Sequence, residues 1–157
     1  MQPISELANA LKKREWKLVT AESCTGGGLA FQLTNEAGSS TWFERGFVTY
    51  SNSSKEELLG VQPFTLNTYG AVSEHTAREM AEGALQHSQA QVAMAVTGIA
   101  GPDGGSVDKP VGTVWFAWSG IDMDTQACVI IFKGNRAEIR EQAIQFAIGK
   151  LLEFIQG

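Results

Sequence analysis

The chain has 157 residues, 43% hydrophobic and 18% charged, and twelve Lys and Arg against seventeen Asp and Glu leave a net charge of −5. That length corresponds to one domain, able to bury about 70% of its unfolded surface in one core. The basic residues are scattered, with Lys12, Lys13 and Arg14 the one cluster, which excludes an electrostatic footprint for duplex nucleic acid or an anionic membrane and leaves room for a single bound phosphate.

Met1 to Ala10 carries no basic segment followed by an apolar run, so no secretory signal is expected. Ile4, Leu7, Ala8 and Leu11 recur at helical spacing and predict a helix over 4–14. Trp16 to Ala21 reads as a short buried strand ending at Glu22-Ser23. Thr25-Gly26-Gly27-Gly28 follows, then a helical pattern to about Ala37. Gly46 to Ser51 is β-branched and aromatic, hence a strand. Asn52 and Ser53 suit the cap of a short helix through Lys55 and Leu59, ended by Gly60. Ser73 predicts the cap of a helix from Glu74 to about His87, with Ala77, Met80, Ala81 and Ala84 inward.

Val92 to Thr97 has the unbroken apolar character of a central strand and opens into a Gly- and Pro-rich loop reaching Gly112. Thr113 to Trp118 and Ala127 to Phe132 read as two further strands, joined by a turn around Gly120 to Asp124. A last helix runs from about Arg136 to Phe154, with Ile139, Ala143, Phe146 and Leu151 as core candidates. The apolar stretches are too short to span a bilayer. Early alternation of helix and strand with a late hairpin predicts a single α/β domain over residues 1–157, a three-layer α/β/α arrangement with a mixed, mainly parallel sheet. Cys24 and Cys128, with only His75 and His87 besides, supply neither a disulfide framework nor the usual zinc ligands. The expectation is a reduced cytoplasmic protein without metal or cofactor. A homo-oligomer is expected, with Trp42, Phe43 and Phe47 as candidates for subunit contact or, equally, for the core.

The sharpest chemical signal is Ala21-Glu22-Ser23-Cys24-Thr25-Gly26-Gly27, a serine where a strand gives way to a glycine-rich helix start. Unpaired amides there suit an anion, either a developing oxyanion or a phosphate. Two readings fit Ser23: nucleophile, or plain helix cap. No Gly-Lys-Ser/Thr follows, so this is not a P-loop. Glu22 and Cys24 flank the serine, so it is not a Gly-x-Ser-x-Gly elbow either, and a dinucleotide fingerprint is absent. A serine nucleophile needs a base. His75 and His87 sit on one helix and read as surface residues. Lys55 is the alternative, since burial lowers a lysine pKa; an exposed first-turn lysine is the plain reading. Tyr50 either relays a proton or is an ordinary strand aromatic, and Cys24 is a rival nucleophile or packing material.

A second constellation, Thr97-Gly98-Ile99-Ala100-Gly101-Pro102-Asp103-Gly104-Gly105, follows the central strand and reads as a binding loop or a stiff turn. Thr97, Gly98 and Gly101 are its candidate contacts, beside Cys24, Thr25, Gly26 and Gly27 in the first loop. Arg136 and Arg140 open the last helix, against the dipole preference; an anionic ligand facing one of them would explain it, and chance surface placement is the plain reading of either alone.

Together, Ala-Glu-Ser-Cys-Thr-Gly-Gly at 21–27, Gly-Phe-Val-Thr-Tyr-Ser-Asn at 46–52, Gly-Ala-Val-Ser-Glu at 70–74, Thr-Gly-Ile-Ala-Gly-Pro-Asp-Gly-Gly at 97–105 and Lys-Pro-Val-Gly-Thr-Val at 109–114 resemble the C-terminal domain family of the competence-damage-inducible protein CinA, which includes the stand-alone nicotinamide-nucleotide amidases. The resemblance spans residues 5 to 155. It implies hydrolysis of the carboxamide of nicotinamide mononucleotide, within pyridine nucleotide salvage. It further implies Ser23 as nucleophile, Lys55 as base, Tyr50 as its assistant, Thr97 as the polar residue opening the second loop, and a late arginine on substrate. Arg136 is assigned that last role through the Gly134-Asn135-Arg136 turn, where relatives commonly carry an acidic residue in place of Asn135. The pyrophosphatase activity of the larger CinA proteins belongs to another domain and is not carried over. Two other expectations stand beside this one: a non-catalytic nucleotide-binding module, and an amidase acting on another small amide.

Overall fold

The computed structural model of the chain describes residues 2–157. Five strands form one mixed sheet in the order β2-β1-β3-β4-β5, where β1 is Leu18–Glu22, β2 Phe43–Val48, β3 Val92–Gly98, β4 Thr113–Gly120 and β5 Met123–Ile131. β1 pairs in parallel with β2 and β3, while β3/β4 and β4/β5 are antiparallel. Helices α1 (Gln2–Arg14), α2 (Gly28–Thr34) and α6 (Arg136–Gln156) cover one face. Helices α3 (Asn52–Leu59), α4 (Pro63–Tyr69) and α5 (Glu74–Gln86) cover the other.

Alternation along the strands builds the two cores. Val92, Met94 and Val96 of β3 and Val114, Phe116 and Trp118 of β4 face α1 and α6, where they meet Leu7, Leu11, Ile139, Ala143, Ile148 and Leu151. The intervening Ala93, Ala95 and Ala117 face α5 and its Ala77, Met80, Ala81 and Ala84. Small residues on both surfaces let α5 lie close to the sheet. Gly83 lets α5 approach α3 in the same way, because a Cβ there would sit 1.9 Å from the carbonyl oxygen of Leu59, the last residue of α3. Of the last-helix core candidates Ile139, Ala143 and Leu151 are buried, and Phe146 is half-buried against Phe116 with ring centroids 4.8 Å apart.

Several boundaries differ from the sequence reading, each for a local reason. The second strand is Phe43–Val48 rather than 46–51, because the pairing with β1 ends on the Thr49 amide, which donates to the Glu22 carbonyl (2.8 Å), and the Thr49 and Tyr50 carbonyls turn toward Lys55. The expected helix to Ala37 stops at Thr34. The cap of α3 is Ser51, whose hydroxyl accepts from the Ser54 amide. The segment 63–69 is a helix that apolar periodicity did not reveal, started by Pro63 and closed by Gly70. The hairpin is tighter than expected and β5 begins at Met123, with Asp122 in the left-handed region. Trp42 is fully buried and Phe43 and Phe47 half-buried, so the large exposed apolar side chains are others, among them Phe31 and Phe64.

The topology decides where function can sit. From β1 the chain crosses to β2 on one side, and from β3 it continues to β4 on the other. Parallel strands whose connections depart in opposite directions leave a crevice at their carboxyl ends. Ser23, Thr49-Tyr50 and Thr97-Gly98 stand at the carboxyl ends of β1, β2 and β3.

Candidate active site

The Ser23 hydroxyl stands one residue beyond β1, and the Ser23 amide donates to the Val96 carbonyl of β3 (3.0 Å). Lys55 lies on α3, which the Ser51 cap positions directly after the Thr49-Tyr50 exit of β2. Its Nζ reaches Ser23 Oγ at 3.1 Å, the Thr49 carbonyl at 2.9 Å and the Tyr50 carbonyl at 3.2 Å. Lys55 is 1% exposed and Ser23 8%. Removal from water pushes the Lys55 amine down to about 8, opposed in part by the Cys24 thiol nearby. No carboxylate forms a salt bridge with Lys55 among the described residues. The two carbonyls accept two of its hydrogens, so in the neutral amine the remaining direction, the lone pair, faces Ser23. That is the geometry of a base beside a nucleophile.

Ser23 does not cap α2. The N-cap is Gly27, in the left-handed region, with no side-chain cap. The carboxylate of fully buried Glu22 caps instead, accepting from the Leu29 amide (2.8 Å), the Ala30 amide (3.0 Å) and the Thr25 hydroxyl. The N-terminus of α2 is thereby occupied by the protein's own anion. The turn before it remains available: Gly26 donates to the Ser23 carbonyl and Gly28 to the Thr25 carbonyl, while the amides of Cys24, Thr25 and Gly27 donate to no backbone carbonyl among the described residues.

A cavity of about 210 Å³ opens beside the Ser23–Lys55 pair, lined by Ser23, Cys24, Tyr50, Lys55, Thr97, Gly98 and Arg136, with Ala71, Val72 and Ala100 as its apolar wall. Thr97 is 1% exposed and donates to the Ala71 carbonyl (2.9 Å), tying β3 to the turn before α5. Gly98 leaves no room for a side chain, since a Cβ would lie 2.7 Å from a Val114 methyl. Arg136 starts α6 behind the Asn135/Glu138 capping box and donates to the Gly101 carbonyl (2.7 Å) and the Tyr50 phenol (3.2 Å).

Thr25, Gly26, Gly27 and Gly101, expected as contacts, do not line the cavity. Thr25 is turned inward to Glu22, Gly26 and Gly27 make the turn at φ 59° and 100°, and Gly101 at φ 79° gives its carbonyl to Arg136. Tyr50 is 60% exposed; its carbonyl serves Lys55, but its phenol bonds Arg136 and reaches neither Ser23 nor Lys55. Burial pushes the Cys24 thiol up to about 11, which removes it as a thiolate near neutral pH. Sequence reasoning missed two features, the Ala71-Val72 wall and the capping role of Glu22; Arg140, named beside Arg136 as a candidate for an anionic ligand, instead donates to the Cys24 (3.1 Å) and Thr25 (3.3 Å) carbonyls. Gly70-Ala71-Val72-Ser73 stood out as a motif without a role, and Glu22 had served only to exclude another motif.

Comparison with known proteins extends over the whole chain. Residues 2–155 match the CinA C-terminal domain. The nicotinamide-nucleotide amidohydrolase PncC of Enterobacter agglomerans is 53% identical over 152 residues, covering 96% of this chain and 93% of the relative. The protein of the same name from Escherichia coli K12 is 49% identical, with 99% and 95% covered. The crystal structure of the competence/damage inducible protein CihA from Agrobacterium tumefaciens superposes with a TM-score of 0.95 at 42% identity, over 99% of this chain and 94% of that one.

Proposed function

The chain belongs to the CinA C-terminal domain family, and we propose that it hydrolyses the carboxamide of nicotinamide mononucleotide to nicotinic acid mononucleotide and ammonia by a Ser23/Lys55 mechanism. The observation that carries this reading is the 3.1 Å approach of a buried Lys55 amine, with no carboxylate partner among the described residues, to Ser23 Oγ at the wall of a cavity. Relatives similar over nearly their full length and named nicotinamide-nucleotide amidohydrolase support the choice of substrate.

Neutral Lys55 takes the Ser23 proton as Oγ attacks the carboxamide carbon. The carbonyl oxygen gains the negative charge, and we assign its stabilisation to the amide of Cys24, the residue of that turn on the cavity wall, with the Thr25 amide next to it in the chain. Such donors are typically worth about 3 to 4 kcal/mol each. Lys55 ammonium then returns its proton to the departing nitrogen, the C–N bond breaks, and ammonia leaves an ester on Ser23. Water, deprotonated by Lys55, cleaves that ester and restores the hydroxyl. Direct transfer at 3.1 Å needs no relay through Tyr50, so we assign Tyr50 and Arg136 to the substrate rim. The cavity volume lies below the ~300 Å³ at which sites for drug-sized ligands begin. It suits a pyridine ring and its amide, with ribose and phosphate lying outward along Arg136. The acid product would re-enter nucleotide salvage.

The test is ammonia release from nicotinamide, nicotinamide mononucleotide and NAD, with Ser23→Ala alongside. Release is expected from the mononucleotide with the wild type and none with the variant at unchanged fold. Normal turnover by Ser23→Ala would overturn the nucleophile. A silent wild type would leave a binding module, and preference for another amide would reassign the substrate.

A further inference from the structure

Arg140 takes no part in the reaction above, yet it reaches from α6 to the turn that carries Ser23. Its Nε donates to the Cys24 carbonyl at 3.1 Å and its Nη2 to the Thr25 carbonyl at 3.3 Å. The Cys24 carbonyl accepts no other hydrogen bond among the described residues. In a trans peptide the C=O of one residue and the N–H of the next point in opposite directions. Holding the Cys24 carbonyl toward α6 therefore fixes the Thr25 amide away from α6, and holding Ser23 O on the Gly26 amide does the same for the Cys24 amide. The two free donors beside the nucleophile owe their directions to these two restraints, one from the turn itself and one from Arg140.

The surroundings are built for this contact. Gly26 leaves the guanidinium its space, since a Cβ there would lie 3.1 Å from Nη2. The capping box at Asn135 and the buried Ile139 and Ala143 hold the helix turn that carries Arg140. No carboxylate pairs with Arg140 among the described residues, so its charge adds a positive potential beside a site where negative charge develops. A loosely held donor loses much of its catalytic value, because preorganisation is what makes such donors effective.

We propose that Arg140 is a positioning residue for acyl transfer, which holds the Ser23–Thr25 turn so that its free amides meet the developing oxyanion. The inference rests on the amidase reading. The experiment compares wild type, Arg140→Met (similar length, no donors) and Arg140→Lys in turnover of nicotinamide mononucleotide. A second readout is inhibition by pyridine-3-boronic acid, whose boron accepts the Ser23 oxygen and becomes a tetrahedral anion. For Arg140→Met, kcat is expected to fall about 10- to 100-fold, less than the full loss of one oxyanion donor, with KM changed less than about threefold. Boronate inhibition should weaken in step with kcat, and Arg140→Lys should recover part of both. Unchanged kcat, a change in KM alone, or a loss of activity matched by loss of folded protein with boronate inhibition intact overturns the proposal. A wild type silent toward every amide overturns the amidase reading itself, a different and separable outcome.

Discussion

The pH dependence of turnover tests the proposed base most directly. With its amine near 8, Lys55 is about 9% neutral at pH 7, about 50% at pH 8 and about 90% at pH 9, the fraction that can accept the serine proton. Rate under kcat/KM conditions should therefore rise about fivefold from pH 7 to 8 and less than twofold from 8 to 9. A lysine at its ordinary value near 10.5 would be neutral about 300-fold less often at pH 7, a difference worth roughly 3 kcal/mol. Lys55→Arg should abolish turnover without recovery at higher pH, because a guanidinium stays protonated throughout the range. The assay is ammonia release at subsaturating nucleotide between pH 6 and 10, with folding checked at each point. A tenfold rise per pH unit continuing to pH 10, or a flat profile, would refute the reasoning that burial tunes this amine.

Other variants separate the roles around it. Tyr50→Phe removes a phenol that contacts Arg136 and not Ser23 or Lys55, so KM should rise a few-fold while kcat stays within about threefold; a collapse of kcat alone would restore a relay. Cys24→Ala should keep most of the activity, since the thiol near 11 is protonated at working pH, and steady-state kinetics beside Ser23→Ala checks it. Glu22→Ala strips α2 of its cap and leaves two amides and the Thr25 hydroxyl without their acceptor. A loss of about 2 to 4 kcal/mol is expected in urea unfolding.

Much of this site was readable because it uses strong local signals. A central apolar strand followed by glycines marks a carboxyl edge wherever it occurs, and Val92 to Gly98 had that form. The capping Ser73 placed the start of α5, and Asn52 and Ser53 placed that of α3 to within two residues of its observed cap, Ser51. The meeting of Ser23 and Lys55, thirty-two positions apart, came from the family resemblance, because sequence spacing alone cannot say which strand ends are neighbours. What stayed hidden depends on peptide direction and on partners distant in the chain. Thr25, Gly26, Gly27 and Gly101 looked like ligand contacts as residue types, but the structure uses them to make turns and to present carbonyls to Arg140 and Arg136. Glu22 reads as an ordinary acid until β1 and α2 are folded together, when it becomes the cap that Ser23 was expected to be.

The proton that we propose governs turnover must also appear in stability. The folded Lys55 amine, near 8, lies below its unfolded value near 10.5. Between those limits the unfolded chain binds more protons, so the Lys55 contribution to stability rises with pH. Below pH 8 both states carry the charge and the native state bears the full desolvation cost, up to roughly 3 kcal/mol. Above about 10.5 both are neutral and that cost is gone. Lys55→Met removes this one titration and leaves the other groups in place. The stability of the wild type relative to the variant should be level below pH 8 and climb by about 1.4 kcal/mol per pH unit above it. Urea unfolding of both proteins from pH 6.5 to 10 measures the difference, with the upper end limited by other groups that titrate equally in both. A difference that falls with pH above 8 would mean that the folded site favours the ammonium. The three acceptors around Nζ would then outweigh burial, and Lys55 would be a fixed cation beside Ser23 instead of its base.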